Sequence, residues 1–340
     1  MNHEIDLSKY QMRTDLAIES VSQNKELKIA SEVQTDDAVK ITVIALTEEE
    51  GAKIGKRAGN YITIEFEDVT DTANKEKVTT VFKTYLKEML DKMKINDEAT
   101  GLIIGLGNDR STPDALGPMT IDKVIVTRHL FELGEASDRY RNIAALNPGV
   151  MGQTGIETAS VIKGVAEHIK PDFVIVIDAL KSGSIDRVNK TIQMTDTGIH
   201  PGSGVGNSRK EISQETLGIP VMAIGIPTVV DLVTVVSDTV GFMHKHFSYT
   251  KSNMHNPSSK LAPAGSVNYL KKEIVVNQED KVNLLGMIGS LSEEETKQLI
   301  FEVLTPIGYN LIVTPKEVDF VIDKLSDVIS EGLNHVLHFE

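Results

Sequence analysis

Apolar and polar residues alternate in short blocks along most of the chain, and the blocks carry two different periods. KITVIAL, from about residue 41, then YITIEF, TGLIIGLG, NIAAL, DFVIVIDAL and IPVMAIGIP are apolar or alternating runs of strand length. Between them stand segments with helical spacing. TEEEGAKIGKR places Thr47 and Glu50 as a capping box, and EKVTTVFKTYLKEMLDKM sets Val81, Tyr85 and Met89 on one face. TGIETASVIKGVAEHIK and TVVDLVTVVSDTVGFMHKHF continue the pattern. Strand and helix alternating in this way predict an α/β fold, a mostly parallel or mixed sheet flanked by helices.

Two stretches break the rhythm. Residues 196–218, DTGIHPGSGVGNSRKEISQETLG, are too long and too polar for a plain connection and read as a functional loop. After about residue 249 the chain turns polar (YTKSNMHNPSSKLAPAGS) and then helical through LSEEETKQLIFEVLTP and PKEVDFVIDKLSDVISEGL. That part reads as a helical C-terminal appendage packed on the main domain. No internal repeat or low-complexity tract stands out.

Composition removes several classes of function. A chain of 340 residues with a net charge of -14 has no basic field for nucleic acid, so no direct nucleic-acid partner is expected. With no tryptophan and 5% aromatic residues it lacks a base-stacking platform. The absence of cysteine excludes a thiol nucleophile, a thiolate metal site and a disulfide framework. The opening MNHEIDLSKYQMRTDL lacks the basic and apolar regions of a secretion signal, and no apolar run reaches the length of a membrane span. A cytoplasmic protein without a membrane partner is the expectation.

In open α/β sheets the chemistry sits beyond the strand ends. Asp114, in GLGNDRSTPDALGP, follows one predicted strand; Asp178, in VIVIDAL, stands at the end of another that is otherwise almost all apolar. A carboxylate there is costly to desolvate, and two at neighbouring strand ends can share a proton and activate water, one as base and one as acid. The structural alternatives are an N-cap for Asp178 and a turn residue after Pro113 for Asp114. GLGN from Gly105 starts like a dinucleotide loop, but Arg110 stands where the third glycine belongs. His200 in TGIHPGSG is a ligand, a substrate-orienting group or neither. His335 and His338, three apart in HVLHFE, read as a solvated helix end rather than a metal site, and no metal or cofactor is expected. No G-x-S-x-G elbow occurs.

The segment RTDLAIES, residues 13–20, has two readings: a helix start with Thr14 or Asp15 as N-cap, or a cleavage site. RTDLA, GLGN, TPDALGP, TRHLF, PGVMGQTGIET, KPDFVIVIDAL, DTGIHPGSGVGN and GIPVMAIGIPTVVD together resemble the germination proteases of spore-forming bacteria, over nearly the whole chain and most strongly from about 101 to 247. Those endopeptidases begin the degradation of small acid-soluble spore proteins.

The resemblance implies a fold related to the hydrogenase maturation endopeptidases (phosphorylase/hydrolase-like), a homotetramer, a zymogen, an atypical aspartic mechanism, and a place in the forespore and spore core. The family's paired aspartates map onto Asp114 and Asp178. Family substrates are cut after an acidic residue, typically Glu, followed by Phe or Ile and then Ala, a layout that TDLAIE copies with Asp and Leu. Self-cleavage between Asp15 and Leu16 then makes 1–15 a propeptide, 16–250 the catalytic domain and 251–340 the appendage. Another substrate-like stretch, LKIASEV at 27–33, has Lys28 before Ile29 where the acidic residue belongs, so charge preference speaks against a cut there. Arg110, Arg209 and Lys210 are the candidates for reading the substrate's acidic side chain. The alternatives are a metal-assisted hydrogenase-maturation-like endopeptidase, with His200 as the nearest third ligand, and a nucleotide-binding module without activity.

Overall fold

In this computed structural model the described residues are 14–24, 31–36, 39–202, 209–253, 255, 274, 276–304 and 311–338. The strands are β1 Ser31–Asp36, β2 Val39–Leu46, β3 Gly59–Glu65, β4 Gly101–Gly105, β5 Ile143–Leu146, β6 Phe173–Ser182, β7 Thr191–Thr195, β8 Val221–Asp231 and β9 Ile312–Val313. The helices are α1 Ala17–Gln23, α2 Glu48–Ile54, α3 Thr72–Lys92, α4 Leu116–Ile121, α5 Arg128–Leu133, α6 Met151–Thr154, α7 Thr158–Ile169, α8 Gln214–Leu217, α9 Leu232–Asn253, α10 Gln278–Leu285, α11 Glu293–Leu304 and α12 Val318–Leu337. Most expected elements are here, with the Thr47–Glu50 capping box at the start of α2. β1 and β7 were not foreseen, the helix reading of RTDLAIES returns as the short α1, and β8 runs on to Asp231 through residues expected to open a helix.

The described residues fall into two compact units, one within 14–182, 187–229 and 314–338, the other within 183–186 and 230–313. The expected appendage therefore splits: α12 belongs to the unit of the sheet, and α10 and α11 to the other.

The sheet runs in the order β1-β2-β3-β7-β8-β6-β4-β5. It is mixed rather than mostly parallel: β1 through β3 pair antiparallel in succession, as do β3 with β7 and β7 with β8, while β4 pairs parallel with both β5 and β6. Side chains alternate between the two faces of each strand. On one face Ile62, Ile64, Ile175, Ile177, Ile192, Met194 and Ile224 form the main core, under Phe82 and Leu86 of α3 and Ile322, Leu325 and Ile329 of α12. Helices α3 and α12 come close because residue 332 is glycine; a Cβ there would lie 2.3 Å from the Phe82 ring. Lys123 fastens α12 from the side through Asp323 and Asp327 at 2.7 and 2.6 Å.

The opposite face is covered in two patches. Leu102, Ile104, Val174 and Val176 pack under Ile162 and Ala166 of α7, and Ile44, Leu46 and Tyr61 pack under Ala17 of α1. Between these patches Leu180 of β6, Gln193 and Thr195 of β7, and Ala223 and Gly225 of β8 line an open cavity.

In the other unit, Val233, Thr234, Ser237, His244 and Ser248 follow helical spacing along the buried side of α9, and Asp231 accepts the N–H of Thr234 at 2.7 Å as that helix begins.

Candidate functional site

The register of β4 on β6 locates Asp178. Gly105, the last residue of β4, lies opposite Ile177, and the Leu106 N–H still reaches the Ile177 carbonyl at 2.8 Å. Asp178 therefore stands where β4 ends and its loop turns away. It is not the end of its own strand, as the sequence suggested: β6 continues to Ser182, and no helix follows for Asp178 to cap. The crevice is made by the shorter neighbour.

The loop that returns over this edge carries Asp114 in a 3-10 turn, Thr112–Asp114. Two glycines of GLGN let it come back so closely. A Cβ at Gly105 would lie 2.4 Å from the Gly117 carbonyl oxygen, which brings α4 down onto β4. Gly107, at a φ of +120°, would set a Cβ 1.9 Å from the Asp114 carbonyl oxygen. The motif that starts like a dinucleotide loop thus serves close backbone packing. The Asn108 N–H donates to the Asp114 carboxylate at 2.9 Å.

The two carboxyls differ in surroundings. Asp178 is 6% exposed and accepts the Ala179 N–H at 3.0 Å. Burial pushes it well above the ordinary carboxylate range, and the Asp114 and Asp15 carboxylates push it further; the Ala179 N–H and Arg209 pull the other way. Asp114 is also raised, chiefly by burial, against the Asn108 N–H and Arg209.

The structure brings RTDLAIES to the same place. Asp15 pairs with β6 through its N–H to the Lys181 carbonyl at 3.1 Å, and its carboxylate accepts the Lys181 N–H at 2.9 Å. Its carbonyl accepts from Lys56 Nζ at 3.0 Å and Gln193 Nε2 at 3.2 Å. The Ala17 N–H donates to Gln193 Oε1 at 2.7 Å. Leu16 and Ala17 are both 0% exposed. Glu19, 3% exposed, accepts from Ser182 Oγ at 2.8 Å, from Thr14 Oγ1, and from Arg187 Nη1 at 3.4 Å. A helix does begin in this stretch, at Ala17, but neither Thr14 nor Asp15 caps it; Leu16 holds the N-cap position and Thr14 Oγ1 accepts the Leu16 N–H. Residues 1–13 and the substrate-like bond Lys28–Ile29 lie outside the described residues.

A cavity of about 450 Å³ opens beside Asp15, lined by Lys56, Tyr61, Leu180, Gln193, Thr195 and His200 among others. Leu180 and Asp178 are two apart on one strand and so share this face of the sheet. Burial lowers Lys56 from the usual lysine value, against Asp15 and Glu19.

Of the residues expected to read a substrate, Arg209 is near enough to act electrostatically on both Asp114 and Asp178. His200 lines the cavity with Nε2 at 3.4 Å from Glu211. Arg110 and Lys210 are exposed, and residues 203–208 of that loop lie outside the described residues. His338 is not a solvated helix end: it is 7% exposed, its Nε2 lies 3.0 Å from the Ile125 carbonyl, and its ring meets Tyr140 edge-on. Among the described residues no three His, Asp or Glu side chains cluster as metal ligands. Sequence reading missed Lys56, Gln193, Ser182 and Arg187. The alternation TIQMT, with Gln193 central on its polar side, was the available signal for one of them.

Fold and site together describe a mixed α/β protein with two coupled carboxyls at a strand edge and a peptide segment laid against them. The chain belongs to the germination protease family, whose model matches residues 5–340, and it is a peptidase of spore germination. It is 48% identical to the germination protease of Geobacillus sp. (strain WCH70), over 99% of this chain and 96% of that relative. It is 47% identical to that of Priestia megaterium, over 100% and 97% respectively. Among solved structures it is similar to a [NiFe] hydrogenase maturation protease, HycI from Thermococcus kodakarensis, at 21% identity and a TM-score of 0.27 over 42% of this chain and 80% of that one. Among the described residues no helix is long and apolar enough to cross a membrane.

Proposed function

We propose that the protein is an aspartic-type endopeptidase that opens the degradation of small acid-soluble spore proteins by cutting after an acidic residue. It is made as a zymogen that cuts itself between Asp15 and Leu16, and it works as a homotetramer in the cytoplasm of the forespore and spore core, with no cofactor. Asp178, the more strongly raised of the two carboxyls, is the general acid, and Asp114 is the base that takes a proton from water. As in any tightly coupled pair, the two titrate together.

One observation carries the reading: the only substrate-like acidic–Leu–Ala sequence in the chain, Asp15-Leu16-Ala17, lies bonded along β6 within the electrostatic reach of Asp178. The test is cleavage of a peptide containing T-E-I-A-S-E by the wild type and by Asp114→Asn and Asp178→Asn. Each variant is expected to lose at least 100-fold in rate while unfolding at a temperature no lower than the wild type's, because acid/base groups contribute about 10²- to 10⁴-fold. A variant that keeps more than about a tenth of the wild-type rate removes that residue from the chemistry.

A further inference from the structure

The Asp15 carbonyl is the one whose carbon must be attacked if the bond to Leu16 is cut. Two side-chain donors converge on its oxygen: Lys56 Nζ at 3.0 Å and Gln193 Nε2 at 3.2 Å. Neither is an incidental surface contact. Gln193 is buried on β7, and its orientation is fixed by its other end, because Oε1 takes the Ala17 N–H at 2.7 Å. Flipped, the amide would face one donor with a donor and one acceptor with an acceptor. Gln193 therefore spans the Asp15–Leu16 bond, holding its carbonyl oxygen at one end and the N–H of the next residue, Ala17, at the other.

Lys56 is placed by the end of α2, where Gly55 takes the left-handed conformation at a φ of +67° and the Lys56 N–H returns to the Gly51 carbonyl at 2.9 Å. Its ammonium enters the cavity and also holds the Thr14 carbonyl at 2.9 Å.

Resting on the proposed reaction at this bond, we infer that Lys56 and Gln193 are catalytic residues, a side-chain oxyanion grip on the carbonyl of the residue before the cut. Water adds to the Asp15 carbonyl carbon and gives one proton to the ionised carboxyl of the pair. The carbonyl π electrons move onto the oxygen, where the Lys56 ammonium and the Gln193 amide meet the new charge. Collapse restores the carbonyl and breaks the bond to the Leu16 nitrogen, which takes its proton from the protonated carboxyl. The products are the Asp15 acid and the Leu16 amine. A positive charge and a neutral donor that are themselves largely buried stabilise the oxygen more in the intermediate than in the ground state, which is what accelerates the step.

A merely structural role, clamping the N-terminal segment in place, makes a different prediction, and the intact chain separates the two. The bond already lies in its groove, so the first-order rate of self-cleavage reports chemistry, and hydrogen exchange at the Asp15 amide, which is bonded to the Lys181 carbonyl and to neither Lys56 nor Gln193, reports docking. Lys56→Met and Gln193→Met are each expected to slow self-cleavage about 100- to 1,000-fold, with Asp15 amide protection within about threefold of wild type. Lys56→Arg, which keeps a cation and donors, is expected in between. A rate within about threefold of wild type in both Met variants overturns the grip, as does a loss of rate matched by an equal loss of Asp15 amide protection. Asp178→Asn run beside them distinguishes the levels: if it cuts as fast as wild type, the reaction at this site is itself wrong; if it is silent while the Met variants cut normally, the grip alone is wrong.

Discussion

Removing the Arg187 guanidinium should loosen the N-terminal segment by a calculable amount. Glu19 is buried, and its carboxylate rests on Ser182 Oγ at 2.8 Å, Thr14 Oγ1 and Arg187 Nη1 at 3.4 Å. Breaking a fully buried ion pair by deleting one partner costs about 3–5 kcal/mol. Here two hydroxyl donors remain, the Arg187 contact is long, and the Arg187 side chain keeps 23% of its exposure. About 2 kcal/mol is therefore the expected cost of Arg187→Met, a factor of about 30 at 1.4 kcal/mol per tenfold. Glu19→Gln loses the charge but keeps an acceptor for a hydroxyl, so about 1 kcal/mol is expected. The assay is hydrogen exchange at the Ala17 amide in a background of Asp178→Asn, which keeps the chain uncut. Arg187 also reaches Glu65 at 3.2 Å, so Glu65→Gln serves as the control for that contact. The double variant should cost less than the sum of the singles, because the second change removes a partner already lost. Protection unchanged within twofold in Arg187→Met, or strictly additive costs, would refute the ion pair as the anchor of this segment.

Asp178, Asp238 and Gly107 offer further tests. Asp178 is raised well above its ordinary 3.8, so the folded state holds that proton more tightly than the unfolded chain; the associated stability is full below the ordinary value and is lost as pH rises through the folded one. Asp178→Asn should therefore raise the unfolding temperature at pH 8 and lose that advantage on acidification, and a gap independent of pH would contradict it. Asp238, pushed from 3.8 up to about 6 chiefly by burial, behaves alike: at about 1.4 kcal/mol per pH unit, Asp238→Asn should stabilise α9 by up to ~3 kcal/mol at pH 8 and by almost nothing near pH 3, read by hydrogen exchange. Gly107→Ala meets the Asp114 carbonyl at 1.9 Å with a φ of +120°, and should cost about 3 kcal/mol and most of the activity; wild-type cleavage would show that the Asp114 loop tolerates displacement.

Much of the scaffold was written in local patterns. The buried runs at 101–105 and 173–178 are strands because their neighbours on both faces are apolar, and the Thr47–Glu50 capping box needed only two residues three apart. The same local logic drew attention to Asp114 and Asp178. It misjudged the reason: Asp178 lies at an edge because β4 stops at Gly105, a fact of register between two strands that no single stretch contains. β7 was hidden for a related cause. Its Thr-Gln-Thr side is as buried as its Ile-Met side, so the usual contrast of an apolar inside and a polar outside was missing. Lys56 lies far along the chain from Arg187 and Gln193, and all three acquire meaning only when Asp15 and Glu19 lie among them. Charge preference alone pointed to Arg110 and Lys210 instead, whose side chains are exposed.

The most direct measurement is the N-terminal sequence and mass of the full chain after incubation at mildly acidic pH, taken beside the Asp178→Asn variant. Acidity favours the singly protonated pair, because Asp178 binds its proton above the ordinary range. The wild type is expected to yield a new N-terminus reading LAIESVSQ, and the variant to stay whole. Cleavage at Lys28–Ile29, or an Asp178→Asn chain that opens at Leu16 as fast as the wild type, would contradict the account.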